Sequence, residues 1–238
     1  PERVCAASGK AYVTVMTDTP AHKPKMEIRI IPVTPLQQNT SMIWSTETME
    51  GVFVDPGGEV DRLMEAARQH GVKIVAVWLT HGHLDHAGAA TAVSQRTGCP
   101  IIGPHKDDQW LLDDIEAQGA KYGITDGKNV RPTRYLHDGD ELDLAGNKFH
   151  VVHTPGHTPG HVVIYSKEGH LAFVGDVLFR GSIGRTDFPR GNHNQLIDSI
   201  VQKLWPLGSQ MRFVPGHGPM STFGQERQDN PFVGDHVV

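Results

Sequence analysis

The stretch Thr80-His81-Gly82-His83-Leu84-Asp85-His86 puts three imidazoles and a carboxylate within six residues, directly after the apolar run Ile74-Val75-Ala76-Val77-Trp78-Leu79. Neutral imidazoles and carboxylates are the donors a catalytic divalent ion takes from a protein, and a buried core has little use for them at this density. If a strand ends at Thr80 and the chain turns sharply, His81 and His83 point to one side while Asp85 and His86 point to another. One loop then serves two neighbouring cations. Three further strand-to-loop edges carry residues of the same types: His157 in Thr154-Pro155-Gly156-His157-Thr158-Pro159-Gly160-His161, Asp176 after Val174-Gly175, and His217 in Val214-Pro215-Gly216-His217-Gly218-Pro219. Such edges are where α/β scaffolds present functional groups.

Together these donors complete two coordination spheres. His81, His83 and His157 are expected on the first metal, and Asp85, His86 and His217 on the second. Two ions about 3.5 to 4 Å apart need one ligand that touches both. A carboxylate has two oxygens for that, so Asp176 is assigned the bridge. A water fills the remaining bridging position, its pKa lowered from about 15.7 toward about 7, so that hydroxide exists at neutral pH without a separate strong base. Asp85 is expected to orient it besides ligating. The expected cofactors are two divalent ions, zinc foremost, with iron and manganese suited to the same donors.

The elements that must position these residues follow from periodicity. Ile28–Val33, Ser41–Trp44 and Gly51–Val54 read as strands joined by tight turns. Asp55-Pro56-Gly57-Gly58 breaks the last of them, and Val60, Leu63, Met64 and Ala67 recur at helical spacing until Gly71 closes the helix. A strand over 73–80 leads into the histidine run, and a helix from Asp85 to Arg96 follows, packed close through Gly88-Ala89-Ala90. After a strand at Pro100–Gly103, residues 105–119 read as an amphipathic helix with a solvated acidic face, His105 being a surface residue. Residues 120–133 read as a long loop of the kind that lines substrate clefts. Strands return at Glu141–Leu144, Lys148–Thr154, Val162–Tyr165 and Leu171–Val174 as a second half-sheet; a helix at Asn194–Leu204 and a last strand, Arg212–Val214, follow. Trp44, Trp78 and Trp205 sit in apolar patterns and read as core.

A chain of 238 residues, 38% hydrophobic, can bury one substantial core. One catalytic domain over 26–238 is expected, preceded by a weakly patterned extension over 1–25 that is either disordered or adds an edge strand at Tyr12–Val15. A formal charge of −5 with no block of lysines or arginines denies it the basic field that grips nucleic acid. No apolar run approaches the roughly 20 residues needed to cross a bilayer, and no secretory pattern opens the chain. A cytoplasmic protein is expected, with no nucleic-acid or membrane partner, and Cys5 and Cys99 are not expected to pair.

On its motifs the sequence resembles the metallo-β-lactamase-fold hydrolases, and within them glyoxalase II, the hydroxyacylglutathione hydrolases. The resemblance runs over roughly residues 26–235 and is carried by THGHLDHAG (80–88), TPGHTPGH (154–161), GD (175–176), GRTDFPRG (184–191) and PGHGP (215–219). It is closest to the short bacterial branch, since the 21 residues after His217 are too few for the helical C-terminal domain of larger members. The resemblance implies an α/β fold, a four-layer αββα sandwich with the metals at one edge of the sheets. It implies a thioesterase acting on a small molecule, converting S-lactoylglutathione to glutathione and D-lactate.

Arg185 stands where larger members carry a lysine that contacts the glycine carboxylate of glutathione, which implies a substrate-binding role; bracing its own loop through Asp187 is the alternative. Asp187 replaces a family tyrosine. Asp55 resembles a residue that buttresses the metal loop, with a plain helix-start role equally open. His153 and His161 are read as hydrogen-bonding or packing partners rather than ligands. Among relatives of other function, flavodiiron-type proteins place Glu at the position of His83 and one lactamase class places Cys at that of Asp176, so neither fits. Persulfide dioxygenases share a run like Gly184–Phe188 and hold a single iron, which makes them the strongest rival.

Overall fold

The computed structural model describes residues 26–122 and 127–238. The extension over 1–25, with Tyr12–Val15 and Cys5, lies outside the described residues, as does part of the expected 120–133 loop. The first sheet holds β1 (Met26–Val33), β2 (Gln38–Ser45), β3 (Glu50–Val54), β4 (Lys73–Trp78) and β5 (Ile101–Ile102), side by side in that order. β1, β2 and β3 pair antiparallel, and β3, β4 and β5 parallel. The second sheet draws on β6 (Glu141–Leu144), β7 (Asn147–His153), β8 (Val162–Ser166) and β9 (Leu171–Gly175). After a hairpin of β10 (Leu178–Phe179) and β11 (Ser182–Ile183), it is completed by β12 (Arg212–Pro215) and β13 (Ser221–Thr222). Its order is β13-β12-β9-β8-β7-β6, antiparallel except where β12 lies parallel to β9.

Successive residues of a strand face opposite ways, and here both faces are apolar, so each central strand feeds two cores. Val162 and Ile164 of β8 meet the first sheet, while Val163 and Tyr165 face outward onto helices. Between the sheets Trp78 packs edge-on against Phe149, their ring centres 5.0 Å apart. Outside the first sheet lie α1 (Val60–His70) and, beyond α2 (Leu84–Ala87), α3 (Ala90–Thr97). α4 (Gln109–Leu112) and α5 (Ile115–Tyr122) close that side through Leu112 and Ile115. The second sheet is covered by α6 (His193–Asp198), its wider continuation over Ser199–Leu204, and α7 (Phe223–Asp229), through Leu196, Ile200, Leu204 and Phe223. The result is the four-layer αββα sandwich, and Trp44, Trp78 and Trp205 are core. Cys99 is buried and free. No helix among the described residues is long and apolar enough to cross a membrane.

Two expected helices are broken. The one over Asp85–Arg96 is α2 and α3, because the Ala89 N–H leaves the helical ladder for the carbonyl of Pro56 (2.9 Å) where Gly88 passes close to Gly57. The one over 105–119 is a short 3-10 turn, Lys106–Asp108, followed by α4 and α5. Its acidic face is not all solvated: Asp108 is fully buried. The hairpin β10–β11, β13 and α7 were not readable from periodicity, although Thr222 followed by Gln225 is a helix-start signal, and the Thr222 hydroxyl does accept from the Gln225 N–H (3.0 Å).

Candidate metal centre

The C-terminal ends of β3, β4, β9 and β12, together with the loop between β7 and β8, converge on one edge of the sandwich. The sheets are stitched together there by main-chain hydrogen bonds, Val162 N–H to Thr80 O (2.8 Å) and Asn39 N–H to Gly216 O (2.7 Å). All seven sequence-predicted donors meet at this edge. His83 Nδ1 lies 3.0 Å from both His81 Nε2 and His157 Nε2. On the other side His217 Nε2 is 3.1 Å from an Asp85 oxygen, which is 3.9 Å from His86 Nε2. Asp176 lies between the two trios, with Oδ1 3.3 Å from His86 Nε2 and Oδ2 3.7 Å from both His157 Nε2 and His217 Nε2. The close approach leaves no room for a side chain at Gly216, where a Cβ would fall 2.1 Å from Asp176 Oδ1.

What lies behind the donors fixes which nitrogen each histidine presents. The carbonyl of Arg185 can only accept, so His157 donates Nδ1–H to it (2.8 Å) and keeps a lone pair on Nε2. The carbonyl of Leu36 does the same for His217 (3.1 Å), and the Asp55 carboxylate for His86 (2.9 Å). Asp55 also accepts from the Thr80 N–H (2.7 Å) and hydroxyl (2.6 Å), so it buttresses the metal loop rather than starting a helix. His161 accepts the Asp176 N–H at Nε2 (3.1 Å) and stacks on His81, ring centres 4.7 Å apart, and His153 pairs with the Pro159 carbonyl (2.8 Å).

Asp108 escaped sequence reasoning altogether. It accepts from Gly82 N–H (3.0 Å), Thr158 hydroxyl (2.6 Å) and Gly160 N–H (2.6 Å), and so clamps the histidine run to the loop of His157. Burial pushes its carboxyl up to about 6 against the pull of those three donors. The acidic run in which it sits gives no signal of this, because the partners lie far away in sequence.

Electrostatically the two trios differ. Burial first, and then neighbouring imidazoles, hold His81 well below the ordinary histidine value; burial takes His83 down to about 3 and lowers His157 as well. These three are neutral and ready to ligate. Burial also opposes charge on His86, but Asp176 and Asp85 outweigh it and raise the imidazole well above its ordinary value. His217 is raised too, against burial, by its contact with Asp85 and the charge of Asp176. Burial alone would push Asp176 up; His86, His157 and His217 hold it well below the usual carboxylate range.

The residues fit a metal pair. Nε2 of His86 and Oδ1 of Asp176 are buried without a hydrogen-bond partner, a costly arrangement that a shared cation would relieve. Asp85, Asp176 and His217 keep 16%, 13% and 30% side-chain exposure, so the cluster opens to solvent on one side, as a catalytic rather than a structural metal site requires. Arg185 borders this side through Phe188, whose ring lies 4.2 Å beneath the guanidinium and 5.2 Å from that of His83. The guanidinium itself is exposed and makes two 2.7 Å bonds to Asp187.

The chain belongs to the metallo-beta-lactamase superfamily, whose family model matches residues 33–217. It is 44% identical over 209 residues to hydroxyacylglutathione hydrolase GloC of Haemophilus influenzae, covering 87% of this chain and 98% of that one. Two solved structures are similar over nearly their whole length: BLEG-1 B3 metallo-beta-lactamase (35% identity, TM-score 0.80, 87% of this chain and 99% of that one) and TTHA1623 in a di-iron-bound form (36%, 0.77, 85% and 98%). The protein is a metal-dependent hydrolase, and its kinship lies with the glyoxalase II family.

Proposed function

We propose that this hydrolase cleaves a glutathione thioester, S-lactoylglutathione, to glutathione and D-lactate at a pair of divalent ions, zinc foremost. His81, His83 and His157 would hold one ion and Asp85, His86 and His217 the other, with Asp176 shared. The observation that carries the reading is Asp176, one carboxylate whose two oxygens face histidines of both trios. The 44% identity to a hydroxyacylglutathione hydrolase supports the substrate class. When bound, the cations supply Lewis acidity toward water and toward the thioester carbonyl.

The chain's own residues do the rest. Asp85, partly exposed beside His217, accepts a hydrogen bond from the attacking water and aims its lone pair at the carbonyl carbon. A C–O bond forms there, the C–S bond breaks, the glutathione thiolate departs, and the proton lost by the water leaves to solvent on the exposed side where Asp85 lies. Arg185 meets the anionic far end of the substrate with a permanently charged, fork-shaped donor set, whose N–H groups it divides between the substrate and Asp187. The test is anaerobic turnover of S-lactoylglutathione by zinc-loaded protein, with glutathione persulfide under oxygen and a β-lactam as parallel substrates. Thioester hydrolysis without oxygen is expected. Oxygen consumption with the persulfide, or lactam cleavage, without thioester hydrolysis would overturn the reading.

A further inference from the structure

A second group of metal-binding side chains lies apart from the seven donors. His153 ends β7, and His105 and Asp107 sit in the turn before α4. One donor atom from each lies within 4.8 Å of the other two. The rings of His105 and His153 are stacked with centres 4.4 Å apart, and the ring of His137 stands edge-on to His105 at 5.3 Å. We propose that His105, His153 and Asp107 form a third, peripheral divalent-metal site.

Three observations carry the inference. First, His153 Nε2 donates to the carbonyl of Pro159 (2.8 Å), which leaves its Nδ1 lone pair free. This is the device that sets His157 and His217 at the main site. Second, His105 Nδ1 accepts the Asp107 N–H at a long 3.3 Å, so this imidazole carries a lone pair on the nitrogen nearest the Asp107 carboxylate and offers it to an ion that displaces that weak bond. Third, the Asp107 carboxylate reaches within 3.3 Å of His105 Nδ1 and is half exposed, at 51%. It is therefore free to swing onto an ion. Ligands about 2.0 to 2.2 Å from one ion stand no more than about 4.4 Å apart, so small side-chain rotations close the set. Two imidazoles and one carboxylate, completed by water, suit borderline ions such as zinc, cobalt, nickel or copper and not magnesium or calcium.

The position gives such an ion a mechanical consequence. The His105 N–H donates to the carbonyl of Gly160 (3.1 Å) and His153 bonds Pro159, so an ion joining the two histidines would tighten the loop that carries His157.

The probe is Zn2+ itself, added to protein already holding its catalytic metal and read as bound zinc per chain after equilibrium dialysis, alongside the melting temperature. Wild type should take up one further equivalent and melt higher. His105→Ala and Asp107→Asn should each weaken that extra equivalent by about tenfold or more, the range for losing a ligand or its support. Both should keep the tightly bound catalytic metal, and Asp107→Asn, which leaves the His105 cap of this turn in place, should also keep the wild-type melting temperature in zinc-free buffer. Failure of wild type to bind the extra equivalent in zinc excess, or its retention in both variants, would overturn the proposal.

Discussion

Asp55 is the most exacting test of how this edge is built. Its carboxylate takes three donors, the Thr80 N–H, the Thr80 hydroxyl and His86 Nδ1–H, at 2.6 to 2.9 Å, and is 3% exposed. In Asp55→Ala the Thr80 hydroxyl still accepts from His81 Nδ1–H, 3.1 Å away, but the Thr80 N–H and His86 Nδ1–H lose their partner. Two buried unpaired donors cost about 1 to 3 kcal/mol each, or roughly 2 to 6 kcal/mol together. Residue 55 also has φ +50°, a left-handed conformation that Ala resists and Asn accepts. Asp55→Asn separates the contributions. Its amide oxygen still serves Thr80, while its NH2 confronts His86 Nδ1, where a proton was held. Relief of that clash puts the proton on Nε2, the nitrogen aimed at Asp176, and a protonated nitrogen cannot ligate. Asp55→Asn should therefore fold near normally yet bind the second metal about 10- to 100-fold more weakly, the range for losing a partner behind a ligand. Metal content after dialysis against graded chelator, with thermal melts of both variants, gives the answer. Wild-type retention of both ions by Asp55→Asn would refute the tautomer argument, whatever happened to stability.

Asp176→Ala should lose both ions and turnover together, since it removes the carboxylate whose oxygens face His157 on one side and His86 and His217 on the other, and full two-ion occupancy in that variant would end the bridging assignment. Acid should empty the site in order. His86 and His217 have raised pKa values and compete with metal for protons as pH falls below them, whereas His83, at about 3, and the lowered His81 and His157 do not. Bound metal should thus fall from two ions to one through mildly acidic pH, at up to about tenfold weaker affinity per pH unit for each titrating histidine; simultaneous loss of both would contradict the assignment. Arg185→Gln should raise KM for the glutathione thioester by about five- to tenfold and leave kcat nearly unchanged, a modest effect because the exposed guanidinium already has Asp187 as a partner. An equal loss with a neutral thioester would mark Arg185 as a brace.

The parts legible in the sequence share one property: their signal is local. The seven donors sit at strand ends within short glycine- and proline-rich segments, and the central strands show themselves as apolar runs because both of their faces are buried. The broken helix at Gly88 was not legible, since the Ala89 N–H is drawn away by Pro56, more than 30 residues earlier. Asp108 was read as part of a solvated face for the same reason. Its three donors come from residues 82, 158 and 160, and only the assembled sandwich brings them to one carboxylate.

A related distinction separates the histidines of the candidate metal centre. His157 and His217 take their proton acceptors from peptide carbonyls, those of Arg185 and Leu36, which are supplied by the path of the backbone and survive any side-chain change at those positions. His86 depends on a side chain, Asp55, and on a raised pKa maintained by Asp176 and Asp85. The first trio is held neutral by burial, whereas the two imidazoles of the second are raised by Asp85 and Asp176 and must trade protons for metal. Acid, chelation and substitution of Asp55 should all act first on the second ion. The hydrolase would then fail by becoming a one-ion protein before it unfolds, and that order follows from which atoms face each imidazole rather than from the ligand types, which are nearly the same on both sides.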